Sequence, residues 1–160
     1  MWMKFLSRLG ATPRGMRWMF NIWPPFRAAG IRVRNIAPDF RSATIELRMR
    51  LFNRNYVGTH FGGSLFAMTD PFFMVLMIRN LGRDYIVWDK QGTVRFLKPA
   101  KGTVVARIVL AEERIAEVRA ATASGEKFEP SFKVDIVDSD GVTVADVEKI
   151  LYIRRKRDKP

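Results

Sequence analysis

The stretch Asn55-Tyr-Val-Gly-Thr-His-Phe-Gly-Gly-Ser-Leu-Phe-Ala-Met-Thr-Asp70 runs from a polar, glycine-punctuated loop into a segment that stays almost wholly apolar as far as Leu81. The loop covers Phe52 to Phe61. From Gly63 onward, Leu65, Phe66, Phe72, Phe73, Leu76 and Met77 occupy more than one face of a helix. A helix that is apolar on most sides is one enclosed by other structure. The spacing therefore predicts a central helix over 63–81, stopped by Gly82, with Asp70 in its middle and Pro71 directly after it.

Strand signals flank this helix on both sides. Between Ala43 and Leu51, Ile45, Leu47, Met49 and Leu51 alternate with Thr44, Glu46, Arg48 and Arg50, the period of two that a half-buried strand requires. Ile31 to Ile36 is a weaker strand, and the turn Pro38-Asp39 makes the two a hairpin. Downstream, strands are expected at Ile86–Lys90, Thr93–Leu97, Thr103–Leu110, Phe128–Asp138 and Val142–Ile153, with continuity of the first two across Gly92 as the alternative to a turn there. Gln91-Gly92, Pro99-Ala100-Lys101-Gly102 and Ser139-Asp140-Gly141 supply the turns. Glu112 to Ala123 reads as a short surface helix closed by Gly125. At the N-terminus, residues 3 to 22 alternate basic and bulky apolar side chains. Pro13 and Gly15 are expected to split them into two short helices, and Pro24-Pro25 to end the second. The order is that of an α+β protein: a helical preface, two strands, one buried helix, then antiparallel strands. It fits a long antiparallel sheet wrapped around one central helix, and equally an α+β sandwich with another strand order.

Composition narrows the chemistry. A chain of 160 residues, 48% apolar and 28% charged, is the size and balance of one globular domain. It has no cysteine, so disulfides, thiolate metal sites and a cysteine nucleophile are excluded. His60 is the only histidine. A multi-histidine metal site is therefore impossible, and a Ser-His-Asp triad would have to use His60. No metal site is expected. The net charge is +12: residues 1 to 50 hold ten Lys and Arg against Asp39 and Glu46, and Arg154, Arg155, Lys156, Arg157 and Lys159 crowd the other end. Nucleic acid, an anionic membrane or a polyanion such as coenzyme A would suit that surface, and so would plain solvation. A membrane surface stays open through Trp2, Trp18 and Trp23 beside arginines, with helix packing as their alternative role; nucleic acid is not expected. Arg8, Arg14 and Arg17 break any continuous apolar leader, and Gly63–Ile78 is too short to span a bilayer, so a soluble cytoplasmic protein is expected.

The Asn55–Asp70 segment resembles the hotdog-fold thioesterases of the phenylacetyl-CoA and hydroxybenzoyl-CoA group. Their pattern is an Asn, a loop ending in His-Gly-Gly, and an acid in the helix that follows. Asn55 falls on the family Asn, Gly62-Gly63 on the glycine pair and Asp70 on the acid. Val94-Arg-Phe-Leu-Lys-Pro-Ala100 resembles the strand after the central helix. Phe61 stands where those enzymes have histidine, and His60 comes one residue early, about 100° away at a helix entry. In this the chain is similar to a poorly characterised branch of hotdog proteins with Phe-Gly-Gly. The resemblance covers roughly residues 30 to 155. It implies a hotdog domain over 30–155, a helical extension over 1–29 and a basic tail over 156–160.

The resemblance also implies a function: hydrolysis of acyl-CoA or another acyl thioester, with no cofactor beyond the coenzyme A of the substrate, by a homodimer or tetramer that shares its sites between subunits. Asp70 is the expected base or nucleophile, and Asn55 holds the carbonyl or the water. The backbone around Phe61, Gly62, Gly63 and Ser64, beside His60, is where an oxyanion would be met by helix N–H groups. Arg95, Lys98 and Lys101 would meet coenzyme A phosphates. Each residue has a plainer alternative. Asp70 before Pro71 is also what a helix cap looks like, Asn55 suits a turn, His60 a packed loop, the glycines close packing, and the lysines a decorated turn. Two other functions fit: a non-catalytic acyl or acyl-CoA binding protein, given Phe61, and a basic membrane- or nucleic-acid-associated protein.

Overall fold

The alternation of apolar and polar residues at the start of the sheet becomes β1 (Ile31–Ile36) and β2 (Ser42–Arg48), an antiparallel hairpin in a computed structural model that describes residues 10–156. β1 has the expected bounds, whereas β2 is shorter than the alternation suggests. It stops at Arg48, the Met49 N–H turns to Gly102 O (2.9 Å), and Leu51–Asn53 form one turn of 3₁₀ helix. Leu51, expected to point inward, is 72% exposed. The cause is local: Asn53 donates to both Arg48 O and Ala29 O at 2.8 Å and pulls the chain out of the sheet.

The remaining strands are β3 (Tyr85–Phe96), β4 (Thr103–Val109), β5 (Lys127–Phe128), β6 (Ser131–Val137) and β7 (Thr143–Arg155). All pairings are antiparallel, in the order β1-β2-β4-β6-β7-β3, with β5 alongside β7. The two strands expected at 86–97 are one, passing Gly92 with a register shift between Asp89 and Gln91. The strand expected from Phe128 is divided by Glu129-Pro130, since proline has no N–H to give the ladder.

The central helix is two helices. α3 (Gly62–Ala67) and α4 (Phe72–Leu81) are joined by a turn over 68–71. Pro71 cannot donate a helical hydrogen bond, and its ring clashes with the carbonyl four residues back. The Thr69 hydroxyl donates instead to Phe66 O at 2.9 Å. α4 buries Phe72, Phe73, Leu76 and Met77 against inward residues of the sheet such as Ile45, Leu47, Ile108 and Leu151. A seven-stranded antiparallel sheet around this helical segment is the hotdog fold.

Pro13 and Pro24 start helices; they do not break them. The helices before β1 are α1 (Pro13–Ile22), whose first turn is capped by the Thr12 hydroxyl (3.1 Å from Gly15 N), and α2 (Pro24–Ala29), closed by Gly30 at φ 82°. A proline at the first helical position loses nothing, because that N–H has no partner in any case. The helix expected before Pro13, Trp2, and the tail beyond Lys156 lie outside the described residues. Phe20 and Phe26 join Phe72 in the core; Trp23, half exposed, packs its ring against Phe20 and Phe26 as the helix-packing alternative expects, whereas Trp18 is 51% exposed. α5 (Glu112–Ala121) crosses between β4 and β5, burying Ile115 and Val118. No helix among the described residues is long and apolar enough to cross a membrane.

The two edges of the sheet differ. Along β1, Asn21 of α1 exchanges hydrogen bonds with the Val33 backbone (2.8 and 3.0 Å) and Arg17 donates to Arg34 O, so that edge is covered. β3, twelve residues long, pairs only with β7 among the described residues.

Candidate active site

The loop after β2 folds back on itself through a bridge between Arg54 and His60. Asn55 is the reason. Its carbonyl oxygen Oδ1 accepts from the N–H groups of Val57 and Thr59, and its amide donates to Thr59 Oγ1 and His60 O. Both ends of this side chain are occupied in closing its own turn. His60 follows, 3% exposed, with its N–H on Ala100 O and Nε2 3.0 Å from Gly102 O. A carbonyl only accepts, so Nε2 carries the proton and Nδ1 is left as a buried lone pair without a partner among the described residues. Burial pushes the imidazole pKa below 6.5, and the Gly102 carbonyl offsets this only in part. His60 is a neutral, packed residue.

Beyond it the chain enters α3. Phe61 is 57% exposed, and its carbonyl accepts from Ser64 and Leu65. The Gly62 and Gly63 N–H groups precede the first helical bond and have no acceptor within the helix. Both glycines make room for aromatic rings: a Cβ on Gly62 would lie 2.7 Å from the Phe96 ring, and one on Gly63 would strike Phe61. Asn55, His60, Gly62, Phe96, Lys98 and Lys101 are among the residues lining an open cleft of about 680 Å3. Five residues expected at the site are thus brought together.

Asp70 is not among them. It lies in the turn between α3 and α4, and it caps nothing: no side-chain bond closes the start of α4. Instead Oδ1 accepts from Lys149 Nζ at 2.6 Å. Lys149, on the inward face of β7, is 2% exposed. Asp89 Oδ1 approaches it from β3 at 3.0 Å, at an angle that makes an ion pair but not a hydrogen bond. The Phe66 ring centroid is 5.1 Å from the ammonium. Desolvation raises the Asp89 pKa above its ordinary value; Lys149 pulls it down and the Asp70 charge pushes it up. The Asp70 side chain is 47% exposed, and Oδ2 accepts no hydrogen bond among the described residues. Arg95 stands apart from both places, paired with Asp146 at 2.9 Å on the strand surface, and Ser64 is buried in α3.

Lys149 and Asp89 were not foreseen as site residues. A signal for Lys149 exists in the sequence: Val147, Lys149, Leu151 and Ile153 share one face of a strand, and only one of them is charged. Asp89 carries no such signal, because the register shift beside it breaks the alternation.

An antiparallel sheet around a broken helix, with a glycine-lined cleft at the helix entry and an acid at the break, defines a protein of the hotdog class. The chain belongs to the family described as a domain of unknown function, DUF4442, whose model matches residues 13–153. Solved structures resemble it over most of their length. A Pseudomonas aeruginosa protein of unknown function, described as a probable thioesterase, is 22% identical with a TM-score of 0.75, covering 87% of this chain and 93% of its own. A protein of unknown function from Chlorobaculum tepidum is 15% identical (TM-score 0.70; 92% and 99% covered). A Haemophilus influenzae thioesterase is 14% identical (TM-score 0.65; 90% and 91% covered). No curated protein matches the chain.

Proposed function

We propose that this protein is an acyl thioester hydrolase acting on acyl-CoA, with Asp70 as general base or nucleophile and the Gly62 and Gly63 N–H groups receiving the oxyanion. The observation that carries this reading is the Asp70 carboxylate: half exposed at the break of the helix, one oxygen fixed and the other free. As a base it takes a proton from water. The hydroxide adds to the thioester carbonyl, and the C–S bond breaks to release coenzyme A as the thiol once it receives that proton. As a nucleophile it adds to the carbonyl, the C–S bond breaks to release coenzyme A as the thiolate, and water then hydrolyses the acyl-aspartate, giving up the proton that makes the thiol. Lys98 and Lys101, at the rim of the cleft, suit the phosphates of coenzyme A.

The working unit is a homodimer. A twelve-residue edge strand whose outer side meets no strand among the described residues is a template for another strand, and the covered β1 edge leaves β3 as the edge for a second copy. In one chain the cleft and Asp70 are separate; across a two-fold axis, the cleft of one subunit meets the aspartate of its partner. A panel of acyl-CoAs assayed for thiol release tests the function. Turnover by the wild type that Asp70→Asn abolishes is expected; turnover that survives the change would remove Asp70 from the chemistry. A second reading, an acyl-CoA binding protein without turnover, is favoured by Phe61 where the thioesterases that the Asn55–Asp70 segment resembles have histidine, and by an Asn55 wholly engaged in its own turn. Saturable binding with no thiol release would select it.

A further inference from the structure

The inward face of β7 is a row of buried side chains, Val147, Lys149, Leu151 and Ile153, in which a methionine or leucine would pack at no electrostatic cost. A fully buried ammonium is costly unless it is paired. Here it is paired from two directions, by Asp70 of the helical turn at 2.6 Å and Asp89 of β3 at 3.0 Å, with the Phe66 ring beside it. Gly92, the cross-strand partner of Lys149, makes the space: a Cβ there would stand 2.6 Å from the Phe66 ring and 3.3 Å from Lys149 Cδ. The ammonium site is built from four elements.

From this geometry we propose that Lys149 is the positioning residue for Asp70, with Asp89 anchoring the ammonium from the sheet. The inference rests on the reading of Asp70 as the reacting carboxylate. Asp70 sits in a turn outside both helices, where the backbone alone does not fix its rotamer. Lys149 holds Oδ1 and leaves Oδ2 outward, which is the orientation a base or nucleophile needs. A clamp serving stability alone would gain from engaging both oxygens; this one engages one. Asp89 places a second negative charge on the sheet side. The ammonium is thereby drawn toward the strand, and Asp70 is drawn with it onto a fixed point of the sheet.

The test compares Lys149→Met, Lys149→Arg and Lys149→Ala in the full chain, reading kcat and KM for acyl-CoA hydrolysis and the orientation of the Asp70 carboxylate in crystal structures. Lys149→Met is expected to lose about 100-fold in kcat with KM within about twofold, as a displaced reacting group does. Lys149→Arg, which keeps the charge, should recover most of kcat, and ethylammonium should partly restore Lys149→Ala. A Lys149→Met enzyme with wild-type kcat, or one whose KM alone changes, overturns the proposal. If Lys149→Met does not fold, the arginine variant and amine rescue of the alanine variant decide. An inactive wild type would refute the hydrolase reading without deciding this one. The carboxylate would then be read in the structures, where an Asp70 that swings away in Lys149→Met supports positioning and one that stays in place refutes it.

Discussion

The entry loop around Asn55 and the junction around Asp70 lie fifteen residues apart in the sequence and satisfy their polar groups in opposite ways. The loop is self-contained: Asn55 bonds within five residues of itself, and His60 is neutral and buried. The junction is held from afar, by a lysine seventy-nine residues on and an aspartate on another strand. Groups that are locally satisfied shape a cleft; a carboxylate pinned at one oxygen, the other facing outward, is available for reaction. Under the proposed function, that difference puts binding in the loop and chemistry at the junction.

Breaking each region should give different losses. Lys149→Met leaves two carboxylates facing each other without a counter-ion. It should cost about 3 kcal/mol of unfolding free energy, at the low end for a broken buried pair because Asp70 is half in water. Urea or thermal unfolding measures this. Asp89→Asn should hold or raise stability at neutral pH, since burial makes the Asp89 charge unfavourable in the folded state. A loss matching that of Lys149→Met would mean the two carboxylates anchor the lysine equally. Asn55→Ala should cost about 1–2 kcal/mol by freeing its hydrogen bonds, and should raise KM more than it lowers kcat. A collapse of kcat would move Asn55 into the chemistry.

The smallest effect is pH dependence from His60. Its folded pKa lies below 6.5, so the unfolded chain binds the extra proton first as pH falls. Stability from this group is complete above about pH 6.5 and declines on acidification through the folded value. His60→Gln should flatten unfolding midpoints measured between about pH 7 and 5; an unchanged slope would locate the titration elsewhere.

Local signals carried most of the architecture. Alternation set β1 at its observed bounds, and Gly92, in the polar stretch Asp89–Thr93 that reads equally as a turn, lies inside β3. Alternation overshot at Leu51, because the side chain of Asn53 bonds to distant carbonyls, and no period records that. Pro71 was visible as a possible restart, yet the apolar run hides a helix break, since buried turns are apolar too. At the site, the residues of the entry loop were legible because they are contiguous. The charge pairing of Asp70 was not, because strand register decides which lysine faces inward and topology decides which helix it meets. Arg95 illustrates the same point: Asp146, its cross-strand neighbour, holds it away from Lys98 and Lys101.

The proposed dimer has binding and chemistry meet between two subunits. Mixing two inactive variants measures this directly. Gly62→Val puts a side chain against Phe96 in the cleft, and Asp70→Asn removes the carboxylate. Subunits exchanged in equal amounts form mixed dimers in which one site carries both lesions and the other neither, so hydrolysis should return to about a quarter of the wild-type rate. Two folded, dimeric variants that stay inactive when mixed would contradict a site shared between the Asn55 cleft of one subunit and Asp70 of the other.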